Sequence, residues 1–317
     1  MYRKIIFAVL VLSASFLCAQ SVDVPNPTPK HVDSDDSDVV AANDATITPQ
    51  DSFGESYNFT TIDFPGASQT TANGLNDHGD IVGRYLDSDG VFHGYLLSGG
   101  TFTTLDPPGS IQTSAIAINN RSVIGGHFLD SSNVRHSFLL DQSVFTIFDF
   151  PGATATFLQG MNDRNQVVGA YIDASGLQNG FLLSAGNFTT IDFPGAPQTV
   201  AGGISDRGQI VGNYMVSPGN VHGFLLGGDG FSVIDFPGAK VTAPFGIAAN
   251  GEIAGFYPDR NGVHGFTLID GNFSTLDFPG ALSTRANRVN ESGQIVGFYT
   301  LSGTHAFLAT PMPSGKP

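Results

Sequence analysis

The sequence predicts an all-β protein, a six-bladed β-propeller with four-stranded blades. The stretch Phe59-Thr-Thr-Ile-Asp-Phe-Pro-Gly-Ala67 returns five more times, with its Asp at spacings of 43, 43, 43, 43 and 42 residues. Each unit contains four short runs of β-branched and aromatic residues, separated by turns of Asn, Asp and Gly. A repeat of this length with four strands is typical of propeller blades.

The order of the strands in a blade follows from the connections. In the first unit the predicted strands cover Thr71 to Asn76, Asp80 to Leu86, Val91 to Leu97 and Phe102 to Asp106. The longest connection, Pro-Gly-Ala-x-x-Thr, follows the last of these runs. In a propeller the long connection joins the outer strand of one blade to the inner strand of the next. The first run is therefore predicted to be inner and the last outer.

This phasing predicts how the ring closes. The repeat region, residues 58–310, begins with a lone outer strand, Phe59 to Asp63, and ends after a third strand, His305 to Thr310. We expect the N-terminal strand to complete the last blade, because an open ring would leave strand edges unpaired. Residues 311–317 are predicted to be a disordered tail.

The first 19 residues are predicted to be a secretory signal peptide. Arg3 and Lys4 precede an apolar run from Ile5 to Leu17, and Cys18-Ala-Gln20 follows it. We expect cleavage near Ala19 and a secreted or cell-envelope location, either extracellular or periplasmic. The alternative is a lipid anchor on Cys18, although the preceding residue is larger than that bacterial pattern requires. No run reaches the ~18 apolar residues of a membrane span, so the protein is not expected to span a membrane.

Residues 20–57 are predicted to be a disordered acidic linker. The segment carries Pro25, Pro27 and Pro29, then the run Asp33-Ser-Asp-Asp-Ser-Asp38, and it has few large apolar residues. The whole chain has a net charge of −15, and the predicted leader removes two basic residues and no acidic one. Such a charge repels nucleic acid, which is therefore excluded as a partner.

The repeat unit resembles a known family. The unit Asn-Asp-x-Gly-x-Ile-Val-Gly-x-Tyr followed by His-Gly/Ala-Phe-Leu is similar to the bacterial extracellular repeat family named for its His-Ala-Phe triplet, the HAF repeat. The triplet is intact at His305-Ala-Phe307, and Gly or Ser replaces Ala in the other five copies. The resemblance covers the whole repeat region and implies bacterial export and a propeller-like fold. It implies no established activity.

Residues that recur in every blade are predicted to be structural. We expect each repeated Asp to accept hydrogen bonds from the backbone of the Phe-Pro-Gly turn beside it, rather than to bind a metal. We expect the triplet histidines to form hydrogen bonds rather than a zinc site, because equivalent positions lie whole blades apart and Asn179 replaces one of them. These positions are Asp63, Asp106, Asp149, Asp192, Asp235, Asp277, His93, His136, His222, His264 and His305.

Five tyrosines that follow Val-Gly are expected to pack between blades, and His127 is aligned with them in the remaining copy. Asp87-Ser-Asp-Gly90 faintly resembles a calcium loop but lacks the downstream bidentate acid, so it predicts a hairpin turn. No cofactor is expected. A calcium-stabilised structural protein stays open as a weak alternative.

The last repeat breaks the pattern with two arginines. Arg288 stands where the other copies have Gly or Ala, and Arg285 is equally unusual at its position. A guanidinium at the crowded inner strands would lie in or near a central channel, where it could bind a carboxylate or phosphate. The alternative is that Arg288 pairs with Glu291 or another local carboxylate and fills the channel.

We expect a non-enzymatic secreted β-propeller that acts as a binding or scaffold module at or outside the cell envelope. No Cys nucleophile, no Ser-His-Asp ordering in a nucleophile turn and no metal spacing is found in the sequence. The alternative is a channel-face hydrolase or lyase acting on a glycan or other acidic substrate. The partners considered are envelope proteins, glycans and small anions.

Overall fold

A computed structural model describes residues 56–312, and this part of the chain folds into 24 β-strands arranged in four-stranded blades. Within each blade neighbouring strands pair antiparallel, and two parallel bridges join three of the blades into one 12-stranded sheet. The described residues form no helix that is long and apolar enough to cross a membrane. The all-β propeller-like fold predicted from the repeat is thus confirmed.

The strands of blades 1 to 3 follow the repeat. Blade 1 contains β2 (Gln69–Leu75), β3 (Ile81–Leu86), β4 (Phe92–Ser98) and β5 (Thr101–Leu105). Blade 2 contains β6 (Ser110–Ile118), β7 (Ile124–Asp130), β8 (Arg135–Asp141) and β9 (Val144–Phe148). Blade 3 contains β10 (Ala155–Met161), β11 (Val167–Ile172), β12 (Gln178–Ser184) and β13 (Asn187–Ile191).

The second half of the domain repeats this arrangement. Blade 4 contains β14 (Gln198–Ile204), β15 (Ile210–Ser217), β16 (Asn220–Gly227) and β17 (Gly230–Ile234). Blade 5 contains β18 (Ala243–Ile247), β19 (Ile253–Pro258), β20 (Val263–Ile269) and β21 (Asn272–Leu276). The terminal blade contains β22 (Ser283–Val289), β23 (Ile295–Thr300), β24 (Thr304–Pro311) and β1 (Tyr57–Ile62).

The N-terminal strand pairs antiparallel with β24, from Tyr57 opposite Pro311 to Ile62 opposite Ala306. Phe59 packs edge-on against Phe278 and Phe307, with ring centroids 5.3 Å and 5.5 Å away. The first and last strands of the described chain therefore share one sheet.

The first strand of each blade lies innermost. A Cβ added to Gly74 of β2 would lie 2.7 Å from the backbone oxygen of Ile116 in β6, and one added to Gly246 of β18 would lie 2.8 Å from the Cα of Arg288 in β22. These strands approach so closely that neither Gly74 nor Gly246 leaves room for a side chain. The ends of the first strands surround a central pocket.

The core lies between neighbouring blades, in one apolar cluster per repeat. The aromatic residue of each His-Gly-Phe triplet is fully buried there. These residues are Tyr95, Phe138, Phe181, Phe224, Phe266 and Phe307. The Gly of Val-Gly makes room for them, because a Cβ on Gly83 would lie 1.9 Å from the oxygen of Thr71 and 2.8 Å from the Tyr95 ring.

Each blade has two ends, which we name after their repeated residues. The histidine end carries the hairpins between second and third strands, such as residues 87–90, and the links between blades. The asparagine end carries the hairpins between first and second strands, such as residues 76–80, and those between third and fourth strands.

Candidate functional site

The repeated histidines and aspartates bind each other at the histidine end. The Nδ1 atom of each triplet His lies 2.6–2.9 Å from the Oδ2 atom of the Asp that ends a neighbouring fourth strand. The pairs are His93–Asp106, His136–Asp149, His222–Asp235, His264–Asp277 and His305–Asp63. Each pair fixes the third and fourth strands of one blade to each other.

The copy with Asn in place of His lacks this contact. Asn179 donates to Oδ2 of Asp173 and to the Leu177 carbonyl, both at 3.4 Å, and none of its hydrogen bonds within the described chain reaches Asp192. Burial raises the pKa of Asp192.

The partner of the repeated Asp differs from the one predicted. The backbone N–H of Phe64, in the turn after Asp63, donates to Oγ1 of Thr70 at 3.0 Å. In blades 3, 4, 5 and the terminal blade, the equivalent Thr accepts a hydrogen bond from the equivalent Phe N–H. The Thr hydroxyl therefore accepts the N–H of the turn, and the Asp carboxylate bonds to the His instead. In blade 2, Pro107 has no N–H to donate, and Thr113 bonds to Ser110 instead.

The hairpin aspartates cap their own turns. Oδ1 of Asp87 accepts the N–H groups of Asp89 and Val91, so residues 87–90 form a hairpin turn. Oδ2 of Asp87 also lies 3.1 Å from Nε2 of His93. Burial opposes protonation of His93, but its hydrogen bonds to Asp106 and Asp87 outweigh that effect and raise its pKa. No group of three or more acidic, His or Cys residues among residues 56–312 has the arrangement of a metal site.

The repeated tyrosines pack between blades. Tyr85 stacks on Phe64 at 3.6 Å, and His93 continues the stack at 5.3 Å. The alignment of His127 with these tyrosines is wrong by one residue. Phe128 takes the Tyr position opposite Thr113, and His127 lies opposite Ser114, where blade 1 has Arg84 opposite Thr71.

Arg288 lies among the inner strands, and its donors are directed at backbone oxygens. The guanidinium donates to the carbonyls of Phe245 and its own neighbour Asn287, and to those of Gln159 and Gly202 in blades 3 and 4. The side chain thus ties the terminal blade to blades 3, 4 and 5. Burial lowers its pKa to about 10.

The alternative pairing of Arg288 with Glu291 is replaced by these carbonyls. The 70 Å³ cavity beside Arg288 has no carboxylate among its lining residues. Arg285 is 7% exposed and lies over the Phe256 ring at 4.3 Å and the Phe298 ring at 5.7 Å. The two arginines therefore occupy different surroundings, although they are three residues apart.

Two relays of hydrogen bonds join the blades at the asparagine end. In the first, the side chain of an Asn donates to the backbone oxygen of the equivalent residue in the next blade, as from Asn76 to Asn119 at 3.3 Å. In the second, the residue that follows this Asn donates its backbone N–H to a side chain of the next blade, as from Asp77 to Oδ1 of Asn120 at 2.8 Å. Both bonds also join blades 2 and 3, blades 3 and 4, and the terminal blade and blade 1.

The second relay places carboxylates around the mouth of the central pocket. Its acidic members are Asp77, Asp163, Asp206 and Glu291. Burial raises the pKa of Asp206, and the nearby charge of Asp163 adds to this effect.

Both relays are interrupted between blades 4 and 5. Ser205 replaces the donating Asn of blade 4 and has no side-chain amide, and Ala249 of blade 5 has no side-chain acceptor for the N–H of Asp206. A 500 Å³ cleft lies at this boundary. Its floor is apolar, with Leu225, Ile253 and Leu268, and its polar groups come from Ser232, Asn250, Glu252 and Asp270.

This cleft was not predicted from the sequence. Its signal was present, because blade 5 has Ala248-Ala249 where other repeats have Asn-Asp, Asn-Asn, Ser-Asp or Asn-Glu.

No protein-family model matches the sequence, and no curated protein matches it. Solved structures match in fold. AofleA from Arthrobotrys oligospora is 12% identical, over 83% of this chain and 91% of its own, with a TM-score of 0.52. The SapL1 lectin, solved in complex with alpha-methyl fucoside, is 11% identical, over 78% of this chain and 98% of its own, with a TM-score of 0.53. Both likenesses identify the propeller-like fold.

Proposed function

We propose that this protein is a non-enzymatic binding module that recognises glycans in the cleft between blades 4 and 5. The proposal rests on the position of that cleft. Among the blade boundaries of the described chain, it lies at the one where both relays are interrupted. At every other boundary at least the second relay is present. At this boundary both relays are interrupted, and a space of ligand size lies between the same two blades.

The lining of the cleft suits a sugar. Sugars present hydroxyl groups at their edges and C–H groups on their faces. Glu252 and Asp270 offer carboxylate acceptors, Asn250 and Ser232 offer donors and acceptors, and Leu225 and Leu268 offer apolar surface. The propeller-like SapL1 lectin, solved with a methyl fucoside, gives the proposal a precedent in fold.

A closed six-bladed ring is part of the proposal. It is supported by the pairing of β1 with β24 and by the bond from Asn290 to the Asn76 carbonyl, which joins the terminal blade to blade 1. A rigid ring would hold the two walls of the cleft at a fixed distance.

The experiment is a thermal-shift and calorimetric screen of methyl glycosides, with alpha-methyl fucoside among them. We expect one class to bind, and Glu252→Gln and Asp270→Asn to weaken its binding at least tenfold. Gln occupies the Glu252 position in three other repeats, so the fold should tolerate it. Asp80→Asn, at the equivalent position of blade 1, is the control. Absence of binding by every glycoside, or equal binding by both cleft variants, would overturn the proposal.

We further propose that the chain is an exported member of the HAF repeat family. The leader-like residues 1–19 and residues 20–55 of the predicted linker lie outside the described residues, whereas Tyr57, also assigned to the linker, begins β1. N-terminal sequencing of the protein from the medium or periplasm should begin after Ala19. Retention of the leader in the cytoplasm would contradict export, and a lipid on Cys18 would favour the anchored alternative.

A further inference from the structure

We propose a second binding site, formed by Arg84, His127 and Arg135 at the histidine end of blades 1 to 3, for a carboxylated sugar such as a uronic acid. Each of these residues departs from its repeat. The Arg84 and His127 position holds Ala170, Asn213, Phe256 and Phe298 in the other copies, and the Arg135 position holds no other basic residue. In a chain of net charge −15, two of these three departures add a guanidinium.

Each of the three side chains contacts an aromatic ring. The Phe157 ring lies 5.5 Å from the Arg135 guanidinium and 5.7 Å from the His127 ring, so both contact the same residue of blade 3. The Arg84 guanidinium lies 4.3 Å above the Phe92 ring. Arg84 and Arg135 are both close enough to His127 for their charges to disfavour its protonation, alongside the larger effect of burial.

Arg135 is a cation without an acidic partner. Its guanidinium contacts the Phe157 ring and makes no ion pair or hydrogen bond with another described residue. Its side chain is partly buried, and burial lowers its pKa. A partly buried guanidinium with unused donors can bind a carboxylate through two parallel hydrogen bonds.

Two buried polar atoms beside the cations also lack partners. Nδ1 of His127 and Oγ1 of Thr71, which lies opposite Arg84, form no hydrogen bond. The two side chains are 2% and 6% exposed. An unsatisfied buried polar group is costly, and a ligand atom bonded to it would remove that cost. A ring hydroxyl can donate to Nδ1, and a ligand oxygen can accept from Oγ1, so a sugar acid supplies what a simple anion does not.

This site is independent of the cleft between blades 4 and 5, because the two lie at opposite ends of different blades. Its ligand is anionic, whereas the cleft is lined by carboxylates. The two proposals therefore fail separately.

The test is isothermal calorimetry on the full chain with sodium glucuronate, with glucose and sodium sulfate at equal ionic strength as the other probes. We expect saturable binding of glucuronate that Arg135→Gln weakens at least tenfold. Gln178 occupies this position in blade 3, so the variant should fold, and its melting temperature verifies this. Thr71→Val, which keeps the shape and removes the hydroxyl, should weaken binding severalfold. Arg260→Gln, in the exposed hairpin of blade 5, is the matched control and should bind as the native protein does.

Glu252→Gln should leave glucuronate binding unchanged, which separates this site from the cleft. Equal affinity for sulfate and glucuronate would overturn the assignment to a sugar acid. Absence of glucuronate binding, or equal losses in Arg135→Gln and Arg260→Gln, would overturn the site itself.

Discussion

Replacing Arg288 with Ala should destabilise the folded domain by about 2–3 kcal/mol. The guanidinium donates to four backbone carbonyls on four different strands. A hydrogen bond to a charged group contributes about 1.5 kcal/mol at the lower end of measured values, so the four contribute about 6 kcal/mol. The free-energy cost of burying the cation opposes this contribution. A pKa lowered from 12.5 to about 10 corresponds to about 3.4 kcal/mol.

Urea unfolding at pH 7 measures the difference, and the melting temperature should fall by about 5–10 °C. Arg288→Lys, which keeps the charge and loses the planar set of donors, should lie between the native protein and Arg288→Ala. Arg121→Ala, in an exposed hairpin, should change stability little. An Arg288→Ala variant at least as stable as the native protein would refute the reasoning, because burial of the cation would then cost more than its bonds contribute.

Three further predictions concern stability. Tyr95→Phe should stabilise the domain by about 1 kcal/mol in urea unfolding, because the buried Tyr95 hydroxyl has no partner and five repeats have Phe there. Tyr299→Phe, which loses a hydrogen bond to Thr61, should destabilise it. Destabilisation by both substitutions would contradict this prediction. Burial, with the charges of Arg135 and Arg84, lowers the pKa of His127 to about 3. Below pH ~6.5 the imidazole is therefore protonated in the unfolded chain and neutral in the folded one. The free energy of unfolding should fall by about 3 kcal/mol by pH 4. His127→Phe should flatten that pH profile, and an unchanged slope would show that His127 does not cause it. Deleting residues 57–62 should cost more than the about 1.5–3 kcal/mol expected for each of Phe59 and Ile62, because it also removes the partner of β24. A truncated chain that melts at the same temperature as the native protein would disprove the pairing of β1 with β24.

The strands and their order could be predicted because the repeat averages the signal. In blade 1 the four predicted strands and the observed ones differ by at most two residues at either end, since Asn-Asp-x-Gly and Gly-Gly mark the turns. The inner position of the first strand followed from the length of one connection. Local turn chemistry and one topological rule were sufficient for the fold.

The contacts of individual side chains could not be predicted in the same way. His93 and Asp106 lie 13 residues apart, and nothing in their spacing identifies them as partners. The competing acceptor, the Thr six residues after the Phe, is also repeated. Arg288 was recognised as exceptional, but its carbonyl partners depend on how closely inner strands from four blades approach, which is a property of the assembled fold.

The pairing of Tyr57 with Pro311 places both ends of the folded domain side by side at the asparagine end. A tether or fused partner joined at either end would therefore leave from the same edge of the terminal blade. The cleft between blades 4 and 5 opens toward that same end, whereas Arg84 and Arg135 lie toward the opposite one. A protein displayed from a surface through either end would present its basic site outward and its acidic cleft toward the support. Biotin attached at the C-terminus and captured on streptavidin would place the molecule in this orientation.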